Sequence, residues 1–323
     1  MLGINISLGS VSIPFRTTFL ILIGAELDQS DWQYIIWNYR IPKALTAMIV
    51  GSGLAISGLL MQTLFRNPLA GPFVLGISSG ASLAVALLIM GSSLFGGIWA
   101  RYFLSDLSIV LCAALGSFLV LFAVLMIAAK VKDTMALLII GLMFGSITAA
   151  IVGVLSYFSN AEKLQQYMFW SFGTVGNLSW NQLTQLTTVV TIGIVLGITS
   201  LKSLNAFLMG ENYARSMGIN VQKMRYVIIT ATGILAGSIT AFAGPIAFVG
   251  LAVPHLARQL FRTTDHKILF PAVAMYGAIL MLLCDTLAQW PNSANVLPIN
   301  AITSIIGAPV VIWLLVRKRK MLF

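Results

Sequence analysis

Long apolar runs recur along all 323 residues of the chain. Each covers about 16 to 25 residues, the length that a helix needs to cross a hydrocarbon core about 30 Å thick, whereas strands of a membrane barrel need about 10 residues of alternating polarity. Only 9% of the residues are charged, compared with about 25% in soluble domains. The chain is therefore predicted to be an all-α polytopic membrane protein. The nine predicted spans cover residues 44–62, 72–91, 108–129, 134–158, 183–201, 225–243, 246–261, 268–288 and 299–316.

The distribution of basic residues predicts the orientation of these spans. When the spans alternate across the membrane, 14 of the 19 Lys and Arg residues fall on the side of the C-terminal run 317–320. Because cytoplasmic loops are enriched in Lys and Arg, that side is predicted to be cytoplasmic. Residues 1–43 then form an outer segment, in which the apolar run 15–25 is too short to span and is predicted to be an interfacial helix. No signal peptide is visible at the start.

Residues 243–258 combine an apolar composition with breaks in helical structure. Gly244 and Pro245 are expected to end one membrane helix, and Pro254 lies only about ten residues further on. His255 and Arg258 follow, three residues apart, so they share one helix face. We expect a short buried helix with a polar inner end, where this pair either fixes the inner turn or contacts a gate.

A second broken segment lies between the first two predicted spans, on the cytoplasmic side. Two prolines and three glycines within residues 66–80 predict non-helical backbone at the membrane edge, which is tolerated where protein or a water-filled cavity satisfies its amides. The segment is either an ordinary turn or part of a transport pathway or its gate. The pathway and gate candidates of the two broken segments are Gln62, Asn67, Pro68, Ser78, Ser79, Gly80, Gly244, Pro245, Pro254, His255 and Arg258.

The longest predicted cytoplasmic segment, residues 202–224, suits two short amphipathic helices. Its apolar residues recur at helical spacing, and Gly210 and Gly218 are placed to end the two helices. Such a helix pair is either a docking element for a partner protein or a helix lying passively on the membrane surface.

Together these segments resemble the iron-siderophore, haem and vitamin B12 permease family of ABC importers. The similarity covers residues 8–315 and rests on ordered words: Arg-Asn-Pro-Leu-Ala-Gly-Pro at 66–72, Glu-x-x-Ala-x-x-x-Gly at 211–218 and Gly-Pro-Ile-Ala-Phe-Val-Gly-Leu-Ala-Val-Pro-His at 244–255. The resemblance implies the type II ABC importer permease fold, with residues 1–323 as a single transmembrane domain. That family has ten helices. We therefore expect its first helix to be missing here, through a late start of the reading frame or through loss from this copy.

The resemblance also implies partners and roles. Members of the family act as pairs of permeases in the bacterial cytoplasmic (inner) membrane, with two ATP-binding subunits below and a periplasmic or lipid-anchored substrate-binding protein above. ATP and Mg would be bound by the partner subunits, and no cofactor by this chain. Arg40 and Lys43 match basic positions that meet acidic residues of the binding protein, although exposed cations there could instead reach lipid phosphates. The matching ATPase-coupling positions are Leu204, Leu208, Gly210, Glu211, Ala214 and Gly218.

Several residues near the predicted outer mouth depart from the family pattern. Gln289 stands where the family has a basic residue, Val296 where it has an acid and Asn300 where it has a glycine. Asp285 lies about 25 Å along its span at 1.5 Å per residue, and is expected near the outer interface as a solvated group or as a structural hydrogen-bonding group.

Other classes of function find little support in the residues. The nine acidic residues and two histidines are scattered, so neither the cluster of an enzyme nor a metal site at His255 and His266 is predicted. No phosphate-binding glycine loop is present, so the ATPase must be another chain. The net charge of +10 reflects membrane orientation rather than nucleic-acid binding. The sequence therefore predicts a non-enzymatic permease, and the family resemblance implies import of an iron(III) siderophore, or of haem or cobalamin. The alternative is an ion-gradient-driven secondary transporter of an amphipathic solute.

Overall fold

The computed structural model describes residues 1–9, 11, 13–24, 30–91, 105–131, 134–289 and 296–316. Within these ranges the regular structure is helical, apart from an isolated antiparallel bridge between Gln289 and Val296. The all-α prediction is therefore confirmed. The α-helices are α1 (Leu2–Ser7), α2 (Phe15–Leu22), α3 (Ser30–Ile35), α4 (Ile41–Leu64), α5 (Ile77–Ile89), α6 (Asp106–Lys130), α7 (Thr134–Phe158), α8 (Ala161–Ser171), α9 (Trp180–Thr199), α10 (Leu201–Leu208), α11 (Glu211–Ser216), α12 (Val221–Ala243), α13 (Val249–Phe261), α14 (His266–Ala288) and α15 (Ile299–Val316).

Six stretches of the described chain are helical, long and apolar enough to cross a membrane. They are Asp31–Leu64, Asp106–Lys130, Met135–Phe158, Trp180–Thr199, Val221–Ala243 and His266–Ala288. The other three predicted spans contain the shorter helices α5, α13 and α15. Because α5 and α13 have 13 residues each, they extend only about 20 Å, less than the roughly 30 Å of a hydrocarbon core. The predicted count of nine spans is therefore not confirmed.

The long helices run alternately between two ends of the bundle. At one end α4, α6, α9 and α13 finish, α12 and α14 begin, and the short helices α10 and α11 lie between them. We call this the basic end, because it carries most of the Lys and Arg residues that predicted the orientation. The other end holds α1, α8 and the starts of α6, α9 and α15.

Helix α4 forms the centre of the bundle and packs against α9, α12, α13 and α14. Its side chains Leu54, Leu59 and Leu60 are fully buried. Two backbone contacts bring its neighbours unusually close: a Cβ at Gly58 would collide with Gly250 of α13, and a Cβ at Gly51 would collide with Gly277 of α14. Glycine at these positions permits the close helix contact that membrane bundles use in place of a hydrophobic driving force.

Other glycines also pack helices of this chain closely together. A Cβ at Gly80 of α5 would lie 2.5 Å from the carbonyl oxygen of Gly116 in α6. Gly233 of α12 faces the Leu121 side chain, where an added Cβ would approach to 2.5 Å. Gly80 therefore has a packing role, and the expectation that it lines a pathway finds no support in its surroundings.

Three helices leave most of their surface uncovered. Only 28%, 22% and 28% of the most apolar windows of α6, α7 and α9 are buried, compared with 78% in the Asp31–Leu64 stretch that contains α4. Exposed side chains on α7 include Ile139, Ile147 and Val154. These surfaces require lipid or another protein as neighbours.

The outer segment 1–43 contains more helix than predicted. The expected short helix at 15–25 is present as α2, and its position at a membrane interface stays a prediction. α1, α3 and α8 were not predicted. For α8 the signal was readable, because Asn160 accepts a hydrogen bond from Lys163 N–H at 3.2 Å as the N-cap, and Glu162 lies in the first turn.

Candidate functional site

The turn that follows α4 is fixed by polar contacts. Arg66 adopts a left-handed backbone conformation with φ of 47°. The Oδ1 atom of Asn67 accepts a hydrogen bond from Leu69 N–H at 2.9 Å, and the Pro68 carbonyl accepts one from His255 Nε2 at 3.0 Å. His255 of α13 therefore anchors this turn, and whether it also contacts a gate stays a prediction. The two broken segments of the sequence meet at this point.

The start of α13 is held in a strained conformation. Gly244 has φ of +75°, and a Cβ there would lie 2.7 Å from the Trp170 carbonyl oxygen, so only glycine fits. Phe248, the N-cap of α13, also has positive φ, at 67°. Such a conformation in a large residue persists only where the surroundings enforce it, and Asn300 helps to do so, since its Oδ1 accepts a hydrogen bond from Ala247 N–H at 3.0 Å.

Pro254 lies inside α13 and removes one backbone donor from the helix. Close by, Gln62 Nε2 donates to the Leu251 carbonyl at 3.1 Å. The Oε1 atom of Gln62 accepts from Arg258 Nη1 at 3.0 Å. Both Gln62 and Arg258 are buried, at 0% and 7% exposure. The predicted residues Gln62, Pro254 and Arg258 thus belong to one site, as neighbours around α13.

The same hydrogen bonds continue to the short helix α10. Arg258 Nη2 donates to Thr63 Oγ1 at 3.4 Å, and Thr63 Oγ1 lies 2.8 Å from His266 Nε2. His266 Nδ1 lies 2.6 Å from Asn205 Oδ1, and His266 N–H donates to the same oxygen at 2.9 Å. We call Asn205, His266, Thr63, Arg258 and Gln62 the polar chain. Sequence reasoning missed Asn205 and Thr63 as members of it.

A groove opens on the exposed side of α5 and α7. Its volume is about 530 Å³. The predicted pathway residues Ser78, Ser79 and Pro245 line it, and Gly145 and Phe73 lie beside them. The hydroxyl-bearing residues of the lining are Ser78, Ser79, Ser82, Thr148, Ser156 and Tyr167.

Tyr167 ties this groove to α8. Burial raises the pKa of its phenol above the usual value, and a hydrogen bond with Ser82 acts in the opposite direction. The phenol is therefore neutral at physiological pH. On the opposite wall, Ser78 Oγ lies 3.1 Å from Thr240 Oγ1 of α12. The groove is thus lined by uncharged hydroxyl groups, of which Ser78, Ser82 and Tyr167 have hydrogen-bond partners.

The predicted helix pair at 202–224 is present as α10 and α11. Gly210, with φ of +108°, separates them, and Gly218, with φ of +79°, follows α11. Leu204 and Ala214 are fully buried against the bundle, so they hold the pair in place rather than face a partner. Leu208 is half-buried. The surface left free carries Met209, Tyr213 and Met217, which are 68%, 47% and 60% exposed.

Glu211 fastens this helix pair to the bundle. Its Oε1 atom lies 2.9 Å from Arg225 Nη2 of α12, and its Oε2 atom lies 3.8 Å from Arg215 Nη2. Arg225 also donates to the Val131 carbonyl at 3.2 Å, beyond the end of α6. Glu211 is therefore the carboxylate through which α11 is connected to two long helices.

The two cations expected to stand exposed at the opposite end have internal partners. Arg40 is 8% exposed, and its guanidinium donates to the carbonyls of Ile6, at 2.7 Å, of Ser7, at 2.8 Å, and of Val11. Lys43 Nζ lies 3.1 Å from Asp285 Oδ1. The expectation of free cations is wrong in this respect, because α1 and α14 supply acceptors that the sequence did not place. A docking role for either residue stays a prediction.

Asp285 is buried, at 2% exposure, rather than solvated at an interface. Its Oδ2 atom accepts hydrogen bonds from Asn5 Nδ2 at 2.9 Å and from Gln289 Nε2 at 2.7 Å. The structural alternative for Asp285 is therefore the correct one. Gln289, one of the three departures described above, therefore has a polar contact with this carboxylate.

The other two departures also have structural roles. Val296 pairs with Gln289 in the isolated bridge, and Asn300 binds the Ala247 amide. These contacts fasten Val296 to the residue after α14, and the start of α15 to the backbone just before α13.

Comparison with known proteins now identifies the family. The model of the FecCD transport family matches residues 1–317. The chain belongs to this family. It is 35% identical over 316 residues to the hemin transport system permease protein HmuU of Yersinia pestis, covering 97% of this chain and 91% of the relative. It is also 38% identical over 288 residues to the vitamin B12 import system permease protein BtuC of Klebsiella pneumoniae, covering 89% of this chain and 84% of the relative.

A solved structure has the same fold. It is described as an inward-facing conformation of a metal-chelate type ABC transporter. Its TM-score with this chain is 0.81 at 29% identity, with 93% of this chain and 97% of that chain covered. The resemblance inferred from the motifs is thereby confirmed, and the chain is a multi-pass membrane permease of the FecCD family.

Proposed function

We propose that this chain is the transmembrane permease subunit of an ATP-driven ABC importer in the bacterial inner membrane. Its cargo would be an iron(III) siderophore, or the related large chelates haem and cobalamin, in keeping with the relatives named for hemin and vitamin B12. The C-terminus and the basic end would face the cytoplasm, as the excess of Lys and Arg there favours.

The observation that carries the proposal is the helix pair α10–α11 at the basic end. Buried Leu204 and Ala214 and the pair Glu211–Arg225 fix the helices to the bundle, while Met209, Tyr213 and Met217 remain exposed. A firmly held element that presents an apolar and aromatic surface suits docking into a cleft of a partner. We propose that the partner is an ATP-binding subunit, with two such subunits in the complete transporter.

The hydroxyl-lined groove supports the proposal of a second permease copy. Hydroxyl groups and irregular backbone are costly against lipid tails and are tolerated where protein or water covers them. The groove opens between α5 and α7, beside the largely uncovered face of α7. Two copies facing each other across their grooves would enclose one central, hydrated pathway. ATP binding and hydrolysis by the partners would move α10 and α11 and open this pathway alternately to each side.

A substrate-binding protein would deliver the cargo at the end where α8 and the start of α15 lie. Most of the specificity would reside in that protein, since large chelates leave little room for a tightly lined selectivity site. Lys43 is 18% exposed while paired with Asp285, so it remains a candidate for contact with an acidic docking surface. Arg40 would contribute by holding the segment of α1 beside it.

The decisive experiment is co-purification from the native host in mild detergent, with identification of each stoichiometric partner. Recovery of an ATP-binding subunit and a substrate-binding protein would support the importer. The binding protein can then be titrated with ferric siderophores, haem and cobalamin. A chain that purifies alone and drives uptake in liposomes under an ion gradient would instead be a secondary transporter, and the proposal would be wrong.

Charge reversal at Glu211 tests the docking surface within the same complex. Glu211→Arg places a cation beside Arg225 and is expected to abolish ATPase association and uptake, because α11 loses its connection to α12. Glu162→Arg, an exposed reversal on α8 at the opposite end, is the matched control and should leave association unchanged. Normal association of the Glu211 variant would contradict the assignment of α10–α11 as the docking element.

A further inference from the structure

The polar chain connects four helices that are far apart in sequence. Asn205 lies in α10, His266 begins α14, Thr63 lies in the last turn of α4, and Arg258 lies in α13. The Thr63 contact with His266 joins residues 203 positions apart, and the Arg258 contact with Gln62 joins residues 196 positions apart. These contacts therefore hold tertiary structure at the basic end, not local helix geometry.

Asn205 locks α10 onto the start of α14. Its Oδ1 atom accepts from both the N–H and the Nδ1 of His266, and its Nδ2 donates to Asp265 Oδ1 at 2.8 Å. Because the Asp265 carboxylate can only accept, the amide orientation is fixed, and His266 Nδ1 must be the donor to Asn205. A displacement of α10 relative to α14 would break all three hydrogen bonds together. The two elements therefore move as one body.

In α4, Thr63 makes the hydrogen bond that links His266 of α14 to this helix. In a neutral His266 with the proton on Nδ1, Nε2 is an acceptor, and the Thr63 hydroxyl is the available donor at 2.8 Å. The same hydroxyl lies 2.9 Å from the Leu59 carbonyl. With a single proton, it can serve one of these two acceptors at a time. The Thr63 hydroxyl can therefore exchange its hydrogen bond between α14 and its own helix, so α4 has an acceptor of its own to use if α14 moves.

The polar chain ends at Gln62, beside the turn that follows α4. Gln62 donates to the Leu251 carbonyl, and a Cβ at Gly71 would lie 3.3 Å from the Leu251 side chain. A Cβ at Gly250 would lie 2.9 Å from Pro72. Residues Pro72–Leu75 form the 3₁₀ turn directly before α5, which carries Ser78 and Ser79 of the groove. A shift of α13 at Leu251 is therefore transmitted by contact to the wall of the groove.

Because the polar chain is buried, breaking any of its hydrogen bonds carries a large free-energy penalty. Gln62, Thr63 and His266 are 0% exposed. Apolar side chains around them can slide past one another at little cost, whereas a buried donor or acceptor that loses its partner is strongly penalised. The polar chain thus restricts the movement of α10 to arrangements in which every link is retained or exchanged.

We propose that Asn205, His266, Thr63 and Arg258 are positioning residues that transmit the movement of α10 to α13 and the groove wall. The inference rests on the proposed function, because the movement would be imposed by an ATPase docked on α10–α11. It assigns to the polar chain the coupling of ATP hydrolysis to opening of the pathway. Loss of a link should separate the two processes while leaving each one possible.

The test uses the complete transporter in proteoliposomes, with ATP hydrolysis and uptake measured in the same preparation. Hemin, cyanocobalamin and ferrichrome are supplied separately as cargo probes with the co-purified binding protein. Thr63→Val keeps the shape of the side chain and removes the hydroxyl, and Thr63→Ser restores the hydroxyl. Thr199→Val is the matched control, because Thr199 is exposed at the end of α9 and bonds only within its own helix, to Leu196 O at 2.6 Å.

We expect Thr63→Val to retain ATP hydrolysis and to lower uptake per ATP hydrolysed about tenfold, within the range typical of coupling between sites. Thr63→Ser and Thr199→Val should keep the wild-type ratio. Equal losses of hydrolysis and uptake in Thr63→Val, with an unchanged ratio, would overturn the inference, since a purely structural role predicts that result. A wild-type complex without ATP-driven uptake would overturn the proposed function itself, and this inference with it.

A cargo-free measurement covers the case in which Thr63→Val accumulates poorly. Asn205→Ala removes the link at a half-buried position in α10, and hydrogen exchange is followed in the intact complex with and without ATP. In the wild type, ATP should change exchange in both α10 and α13. In Asn205→Ala the change should remain in α10 and disappear from α13. Persistence of the α13 response in this variant would overturn the inference.

Discussion

We predict that Lys43→Met lowers the free energy of unfolding by about 3 kcal/mol. The Lys43 and Asp285 side chains are 18% and 2% exposed, and their charged atoms lie 3.1 Å apart. Removing one partner of a buried ion pair leaves an uncompensated charge, which costs about 3–5 kcal/mol. The lower value applies here because Asn5 and Gln289 continue to donate to the Asp285 carboxylate.

Removing the other partner of this ion pair, the Asp285 carboxylate, should cost less. In Asp285→Asn the remaining charge is the Lys43 ammonium, which can extend along its flexible stem towards water, so a loss of about 1.5 kcal/mol is expected, near that of one charge-assisted hydrogen bond. The double variant contains no buried charge and should lose about 2 kcal/mol. Since the single losses sum to about 4.5 kcal/mol, the cycle predicts a coupling energy of about 2.5 kcal/mol.

The assay is denaturant titration of the purified chain in mixed micelles, followed by helical circular dichroism. Lys223→Met, at an exposed position of α12, is the matched control and should change the unfolding free energy by less than about 0.5 kcal/mol. Additive losses in the cycle would refute the reasoning. If Lys43→Met left the unfolding free energy unchanged but weakened association of the substrate-binding protein, Lys43 would instead act as an exposed docking cation.

Three further predictions concern stability. Gly58→Ala should destabilise the bundle by about 1–3 kcal/mol in the same titration, because its Cβ would collide with the backbone carbonyl of Gly250, whereas Gly153→Ala, with no atom within 4 Å, should not. Asn300→Gly should cost about 1–3 kcal/mol by removing the acceptor of the Ala247 amide; an unchanged midpoint would contradict this. The pKa of Asp265 is lowered from 3.8 by hydrogen bonds from Lys267 N–H and the Asn205 amide, so its stabilising effect is present above that value and fades as pH falls through the lower folded pKa. The stability difference from Asp265→Asn should therefore shrink in acid, and a constant difference would argue against it.

The helices were predictable wherever apolar length decided the outcome. α6, α7 and α14 follow directly from runs too long and too apolar for any other structure. α5 and α13 were predicted as full spans because their apolar runs continue through prolines and glycines. In the structure, the first part of one run is the 3₁₀ turn Pro72–Leu75, and the other run is interrupted by the positive-φ residue Phe248 before α13 begins. Apolar composition alone does not reveal either break.

The site was predictable as a set of motifs, but its connections were not. The two broken segments named Gln62, His255 and Arg258 as pathway or gate candidates, but they did not reveal the contact between Gln62 and Arg258, which are 196 residues apart. Asn205 and Thr63 carried no distinguishing pattern, because a single polar residue in an amphipathic helix usually faces solvent. Arg40 was misjudged for the opposite reason: its acceptors are backbone carbonyls near α1, and backbone acceptors have no signature in a sequence.

The groove between α5 and α7 has a consequence for how cargo could travel. The described residues of its lining carry hydroxyl, apolar and aromatic groups and no formal charge. Such a wall offers many weak, interchangeable contacts, so a large solute would meet a shallow free-energy profile without deep wells. Passage through a channel depends on sites weak enough to release what they admit. If the groove forms the proposed pathway, such a surface would tolerate chelates of differing net charge and leave discrimination among them to whatever presents them at its entrance.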